Sequence, residues 1–334
     1  MAGSCCLTNK SEEQNHISFS QLIGSFALGN VYVKLAVILN HLPLMRSETE
    51  IKNLILGFAK QDDRIRAVLL NGSRANPNAT PDGLRDFDIV FIVENLESFT
   101  RDHSWTNIFG EKIIFQLPDE MNFGVEDSYR EKISFAYLML FKDTNRIDLT
   151  LFPKKKLTAN FNPDSLTLLW LDKDHLFTGL PQSGDKDYHI QEPAEKEFLD
   201  TCNEFWWATT YVAKGLVRDE IIYAKEMLEV VVRPMFMKVI EWQVGIENDF
   251  SVSSGKAGKF LKRYLPGDFY KKILLTYANF ETAENWKALF LMTEIFQQSS
   301  NFVAEKLGFT INKREQQNVL AYLKALHDKQ QNYR

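Results

Sequence analysis

Two apolar runs flank a Gly-Ser turn, and the second run opens on a pair of acids. The first is Ala67-Val68-Leu69-Leu70, leading into Asn71-Gly72-Ser73; twelve residues later comes Asp86-Phe87-Asp88, followed by Ile89-Val90-Phe91-Ile92-Val93. Residues i and i+2 of an extended strand point to the same face. Asp86 and Asp88 would therefore stand side by side at a strand start, where they repel one another unless a cation lies between them. Mg²⁺ suits that position, being hard, oxygen-seeking and usually held by one or two carboxylates plus substrate phosphates. The Gly-Ser turn lets backbone N–H groups approach phosphate oxygens. Alone, a Gly-Ser pair is an ordinary turn and an Asp-x-Asp an ordinary solvated strand end. Placed together at the correct ends of two neighbouring strands, they point to a site that binds a nucleoside triphosphate and transfers part of it.

A third acid fits the same picture. Phe135–Phe141 reads as a strand, Lys142-Asp143-Thr144-Asn145 as a turn, and Arg146–Phe152 as the returning strand, closed by Pro153. Asp148 lies inside that second strand, with Ile147 and Leu149 facing the opposite way into packing. A carboxylate in a strand interior is costly unless it is paired or bound to a metal. Asp86, Asp88 and Asp148 could thus converge on one cation site; alternatively, Asp148 pairs with Arg146 at i−2 on the same face.

The chain divides by pattern. Residues 1–44 begin polar and turn apolar from Ile17; they read as an N-terminal extension without a catalytic role. Ser47-x-x-Glu50 is a capping box that opens a helix carrying Ile51, Leu54, Ile55 and Phe58 at helical spacing. Strands are expected over 65–70, 87–93, 111–117 and the hairpin 135–152, forming a mixed sheet with helices in a domain of residues 45–192. Residues 154–192 look irregular, with a solvated basic turn at Lys154-Lys155-Lys156. From Glu195 the text is helical: Phe198, Cys202, Phe205, Trp206 and Thr209 recur at three- and four-residue steps. Further helices are expected over 219–244, 256–264 (with Ser254 as its cap), 268–279, 283–306 and 312–329. Residues 193–334 then form an all-α bundle, and the fold class is α+β. Ligand pockets favour domain boundaries, so the cleft between the halves is the expected location of the site.

Composition narrows the partners. With 334 residues, 45% hydrophobic and 25% charged, the chain is of ordinary globular make-up and long enough for two domains. A net charge of −5 argues against a general nucleic-acid binder and suits a cationic small substrate. Cys5, Cys6 and Cys202 make no disulfide framework or metal spacing, and the six histidines are scattered. A reducing cytoplasm is therefore the expected compartment. The most apolar stretch, 31–39, is interrupted by Lys34 and falls far short of the ~20 residues that span a bilayer. No signal peptide is expected, because no basic region precedes an apolar core.

In the helical half, adjacent Trp206 and Trp207 would face about 100° apart, so at most one can be deep core. Lys214 and Arg218 share one helix face if the helix runs through Gly215. Ser253-Ser254-Gly255-Lys256 lacks the upstream glycine and preceding strand of a phosphate loop.

Taken together, Asp62–Ala67, Asn71-Gly72-Ser73-Arg74, Asp86-Phe87-Asp88-Ile89-Val90, Trp105–Gly110 and Arg146-Ile147-Asp148-Leu149-Thr150 resemble the aminoglycoside 6-adenylyltransferases of the nucleotidyltransferase superfamily. The likeness runs from about Met45 to near the C-terminus. It implies a nucleotidyltransferase-like sheet domain, ATP as co-substrate, two Mg²⁺ ions, and AMP transfer to the 6-hydroxyl of streptomycin with release of pyrophosphate. By the same resemblance Asp86, Asp88 and Asp148 would hold metal, and Asp148 could also accept the hydroxyl proton. Gly72, Ser73 and Arg74 would contact the nucleotide, as would Lys214 from the helical half. Acids able to grip the substrate's guanidinium groups include Glu94, Glu192, Glu195, Asp200 and Glu204, among which the sequence does not choose. Rival readings are the same fold with another acceptor, a nucleotide-binding module without catalysis, and a transferase acting on polynucleotides, which the acidic balance disfavours. Oligomeric state is left open.

Overall fold

The computed structural model describes residues 44–123, 133–157 and 163–333, so the expectation for residues 1–44 falls almost wholly outside them. The described chain forms two compact units. One holds the sheet, with residues to 75, 79–163 and 167–180; the other holds the helices, with 76–78, 164–166 and 181 onward.

The sheet unit opens on the expected capping box. The Ser47 hydroxyl accepts the Glu50 N–H at 3.2 Å, and the Glu50 carboxylate accepts the Ser47 N–H at 2.7 Å. Helix α1 (Glu48–Gln61) buries Ile51, Ile55 and Ala59. Six strands follow: β1 (Ile65–Asn71), β2 (Phe87–Val93), β3 (Lys112–Gln116), β4 (Phe135–Phe141), β5 (Arg146–Pro153) and β6 (Thr167–Asp172). Their order is β3-β4-β5-β2-β1-β6, with β2 and β5 parallel and all other neighbours antiparallel. Ile65, Phe87, Ile89, Phe91, Ile147, Leu149 and Leu151 pack with α1 on one face. Ala67, Leu69, Val90, Ile92 and Phe152 pack on the other, beneath Leu176, Phe177 and Leu180. β1 and β2 are covered on both faces, which is why their text is continuously apolar rather than alternating.

The stretch 154–192 is not wholly irregular as expected, because it contains β6, paired antiparallel to β1. β6 is an edge strand in which Leu168 and Leu169, neighbours in sequence, are both 39% exposed, and a register shift opposite Val68/Leu69 skips Trp170. That shift breaks the period-two pattern by which a strand is recognised.

Arg46 ties the start of α1 to the β4–β5 turn. Its Nε donates to Asp143 at 2.6 Å and its Nη1 to the Phe109 carbonyl at 2.6 Å. Burial alone would raise the Asp143 carboxyl, but hydrogen bonds from Arg46 and Asn145 outweigh it and hold the group down at about 2. A carboxyl depressed in the folded state stabilises above its unfolded pKa near 3.9, and this contribution is lost as pH falls through about 2. Asp143→Asn is therefore expected to lower the urea midpoint at pH 7 by the equivalent of about 2 kcal/mol, with the gap to the parent closing between about pH 4 and pH 2. Urea titrations at pH 7, 4 and 2.5 check this.

The helical unit is built on α2 (Glu195–Val217), which runs unbroken through Gly215. Its face of Phe198, Cys202, Phe205, Trp206, Thr209, Val212 and Leu216 is buried. Trp206 is 1% exposed and Trp207 59%, so one indole is core and the other is not. The span expected as one helix over 219–244 is α3 (Ile221–Glu226), a π-helical turn at 227–232 and α4 (Arg233–Glu247). Pro234 accounts for the interruption, since it lacks an N–H and its ring clashes with the carbonyl four residues back. The expected helix over 256–264 is replaced by two 3₁₀ turns, Lys256–Gly258 and Leu261–Arg263. Gly255, Ala257 and Gly258 hold φ of 71°, 56° and 75°, which a helix cannot accommodate. Ser254 consequently caps nothing; its hydroxyl donates to Glu241 at 2.9 Å. Helices α5 (Gly267–Leu274), α6 (Thr282–Leu307) and α7 (Lys313–Tyr333) complete the unit.

Candidate active site

The acids lie at the starts of β2 and β5. These strands are parallel neighbours, and Asp88 pairs in register with Asp148, so both side chains leave the same face of the sheet. Asp86 immediately precedes β2. Asn71, the last residue of β1, pairs with Asp88 on its other side. Beyond Asn71 the chain turns through a 3₁₀ turn, Gly72–Arg74, with Gly72 at φ +71°. The Asp88 carboxylate lies directly over Gly72: a Cβ there would land on its oxygen and stand 3.0 Å from its carboxyl carbon.

Burial pushes the Asp88 carboxyl up to about 6, and the neighbouring Asp148 and Asp86 carboxylates add to the rise. Asp86 is raised by burial and by Asp148, with Arg146 opposing. The Arg146 guanidinium donates to both Asp148 oxygens at 2.7 Å and stands 3.7 Å from Asp86. The alternative partner foreseen for Asp148 is thus in place, and it reaches Asp86 as well. Among the described residues no three His, Cys, Asp or Glu side chains form a ready ligand set. The donor chemistry nonetheless fits a hard cation. Three carboxylates share one patch, burial and mutual repulsion raise two of them, and the group lying against them is a positively charged side chain 43% exposed and able to turn away.

Arg74 is engaged elsewhere. Its guanidinium, 6% exposed, donates to the carbonyls of Arg85 and Asp86, pairs with Glu48 at 2.7 Å, and lies over the Phe87 ring. It braces the residues leading into β2 instead of presenting a charge outward. Ser73 follows Gly72 in the turn, and its carbonyl accepts from Arg85 at 3.3 Å. β6 adds a support that the sequence reading missed: the Thr167 hydroxyl donates to the Asn71 side chain at 3.0 Å, beside the Gly-Ser turn. The apolar run Leu166–Leu171 was the available signal.

Lys214 belongs to the helical unit. It lies one turn beyond Tyr211, with Nζ 5.5 Å from that ring, and Trp207 donates to the Tyr211 hydroxyl at 2.6 Å. Among the described residues Lys214 forms no ion pair with an acid.

A mixed sheet that sets carboxylates on two parallel neighbours beside a Gly-Ser turn defines the nucleotidyltransferase class of fold. The sequence profile of the family described as streptomycin adenylyltransferase matches residues 45–326, and the chain belongs to that family. It is 42% identical over 267 residues to an aminoglycoside 6-adenylyltransferase of Campylobacter jejuni, covering 79% of this chain and 91% of that one. It is 39% identical to the enzyme of that name from Bacillus subtilis strain 168, covering 79% and 93%. A crystal structure of an aminoglycoside 6-adenyltransferase from Bacillus subtilis aligns at 34% identity over 85% of this chain and 99% of that chain, with a TM-score of 0.42.

Proposed function

We propose that this protein transfers AMP from ATP to the 6-hydroxyl of streptomycin, releasing pyrophosphate and conferring resistance to the drug. The observation that carries the proposal is the in-register pairing of Asp88 with Asp148, with Asp86 beside them and the Gly72 turn beneath. The relatives named as aminoglycoside 6-adenylyltransferases support an aminoglycoside acceptor and the position, and the family's description as streptomycin adenylyltransferase supports the choice of drug.

Asp86, Asp88 and Asp148 would hold Mg²⁺, which when bound supplies charge neutralisation for the triphosphate and polarises its α-phosphorus. Gly72 and Ser73 offer backbone N–H groups to the outer phosphates. Arg74 contributes by fixing the approach to β2. The acceptor oxygen bonds to the α-phosphorus in line as the bond to the β-phosphate oxygen breaks, and pyrophosphate departs with that oxygen. Asp148 receives the hydroxyl proton, acting by its position beside Asp88. Arg146 must leave the acids as the nucleotide enters. No described helix is long and apolar enough to cross a membrane, and dependence on ATP suits a cytoplasmic enzyme.

Incubation with ATP and a panel of aminoglycosides, read by mass spectrometry, tests the reading. The expected result is one AMP added to streptomycin, with matching pyrophosphate; addition to a deoxystreptamine drug alone would overturn the acceptor. A chain starting at Met45 is expected to keep turnover within about threefold of the full chain, since α1 carries its own cap. A large loss would assign the first 44 residues a role.

A further inference from the structure

The helical unit leaves an apolar face uncovered around the end of α5. Leu274, Leu275, Tyr277 and Phe280, with Ile222 on α3 and Val230 in the π-helical turn, are each between 48% and 85% exposed. The two groups adjoin. Lys225 donates to the Ala278 carbonyl at 2.8 Å. Arg233 donates to the hydroxyl of Thr276 at 2.9 Å and to its carbonyl at 3.0 Å, and its guanidinium lies 3.6 Å from the Tyr277 ring centre. Lys225, Glu229 and Arg233 form one stripe along this helical stretch, and Ile222, Glu226 and Val230 form the next.

The first stripe fixes the chain that follows α5. Arg233 is buried and paired with Glu229, which Lys225 also reaches at 3.5 Å. A guanidinium that is hydrogen-bonded to a carboxylate, a hydroxyl and a carbonyl holds one geometry. The apolar side chains beside it are therefore held out toward water. Together the six present on the order of 800 Å² of surface, above the roughly 300–600 Å² of the largest patch on a typical monomer and equal to one partner's share of a standard interface.

The charges around this face complement one another. Glu226 stands between Ile222 and Val230 on their stripe, and among the described residues no cation pairs with it. Lys271 and Lys272 stand on α5, 76% and 50% exposed, with Asp268 at 3.3 Å and Glu294 at 3.7 Å. Exposed pairs of this kind contribute little and exchange partners readily. In an isologous contact a feature at one side of the patch meets the opposite side of the same patch. An acid on α3 and lysines on α5 can thus satisfy each other across a twofold axis while the apolar side chains close between them.

We propose that this face joins two copies of the chain in a symmetric dimer, with Glu226 of each copy facing the α5 lysines of the other. The contact is argued from the helical unit alone and does not depend on the AMP-transfer chemistry.

Sedimentation velocity of the full chain from about 1 to 100 µM tests it, with a concentration-dependent dimer of micromolar Kd expected. Leu275→Glu and Phe280→Ser are each expected to weaken the dimer by about a hundredfold, because each substitution enters the twofold contact twice. Circular dichroism checks that the variants stay folded. Glu226→Lys is expected to weaken the dimer by about tenfold, and adding Lys271→Glu and Lys272→Glu to recover most of that loss. A monomer throughout the range would overturn the proposal, as would a dimer that persists in both Leu275→Glu and Phe280→Ser. A chain starting at Met45 that is monomeric where the full chain dimerises would also overturn it, by assigning the contact to the first 44 residues.

Discussion

Asp88→Asn is expected to reduce pyrophosphate release by about 10³-fold or more while leaving the metal-free fold at least as stable as the parent. Both halves of this expectation come from one environment. The carboxylate lies between Asn71 and Asp148 in the sheet, over the Gly72 turn, and burial with two acidic neighbours pushes it up to about 6. At neutral pH its charge is therefore a burden on the metal-free fold and an asset only when a cation is present. Asparagine keeps the shape and removes the charge, so repulsion with Asp148 and Asp86 disappears. The melting temperature without metal should hold or rise, while binding of Mn²⁺, followed by paramagnetic resonance, should weaken. A variant that still released pyrophosphate at the parental rate would remove Asp88 from the metal assignment. One that lost activity by unfolding would show the carboxylate to be structural.

Gly72→Ala should lower both stability and turnover. Two costs coincide there. The backbone holds φ +71°, which costs a residue with a side chain about 1–2 kcal/mol. In addition, the added methyl would land on the Asp88 carboxylate, so the acid or the turn must move. A combined loss of about 2–4 kcal/mol of stability is expected, with turnover down by about 10²-fold even where the protein remains folded. Denaturant midpoints and pyrophosphate release, measured on the same preparation, check both. Parental values for each would mean that the turn relaxes freely and that the contact with Asp88 is incidental.

Much of this arrangement was legible in the sequence because it rests on short-range rules. The capping box at Ser47, the two apolar runs, and the hairpin from Phe135 to Pro153 all appear as expected. Alternation alone placed Asp148 opposite Ile147 and Leu149, and both are buried at 1% exposure. What stayed hidden depends on partners distant in the chain. β6 left only the apolar run Leu166–Leu171, and the bulge in its pairing with β1 breaks the alternation that would mark that run as a strand. The two 3₁₀ turns near Ala257 arise from left-handed backbone at three nearby positions, which no apolar period announces. Arg74 sits in a motif beside a phosphate-type turn, yet it is turned back onto the Arg85 and Asp86 carbonyls by Glu48 and Phe87, contacts set by tertiary packing. The same holds for Arg146. Its pairing with Asp148 follows from spacing, but its reach to Asp86 requires that β5 lie next to β2.

That adjacency has a practical consequence. β2 and β5 are far apart in the chain, and only their alignment puts two acids on the same rung. A slip of one residue between them would turn Asp148 into the apolar layer and bring Ile147 out in its place. Misaligned molecules would thus forfeit packing and chemistry together, so specific activity per milligram doubles as a sensitive gauge of correct strand alignment in any preparation of this protein.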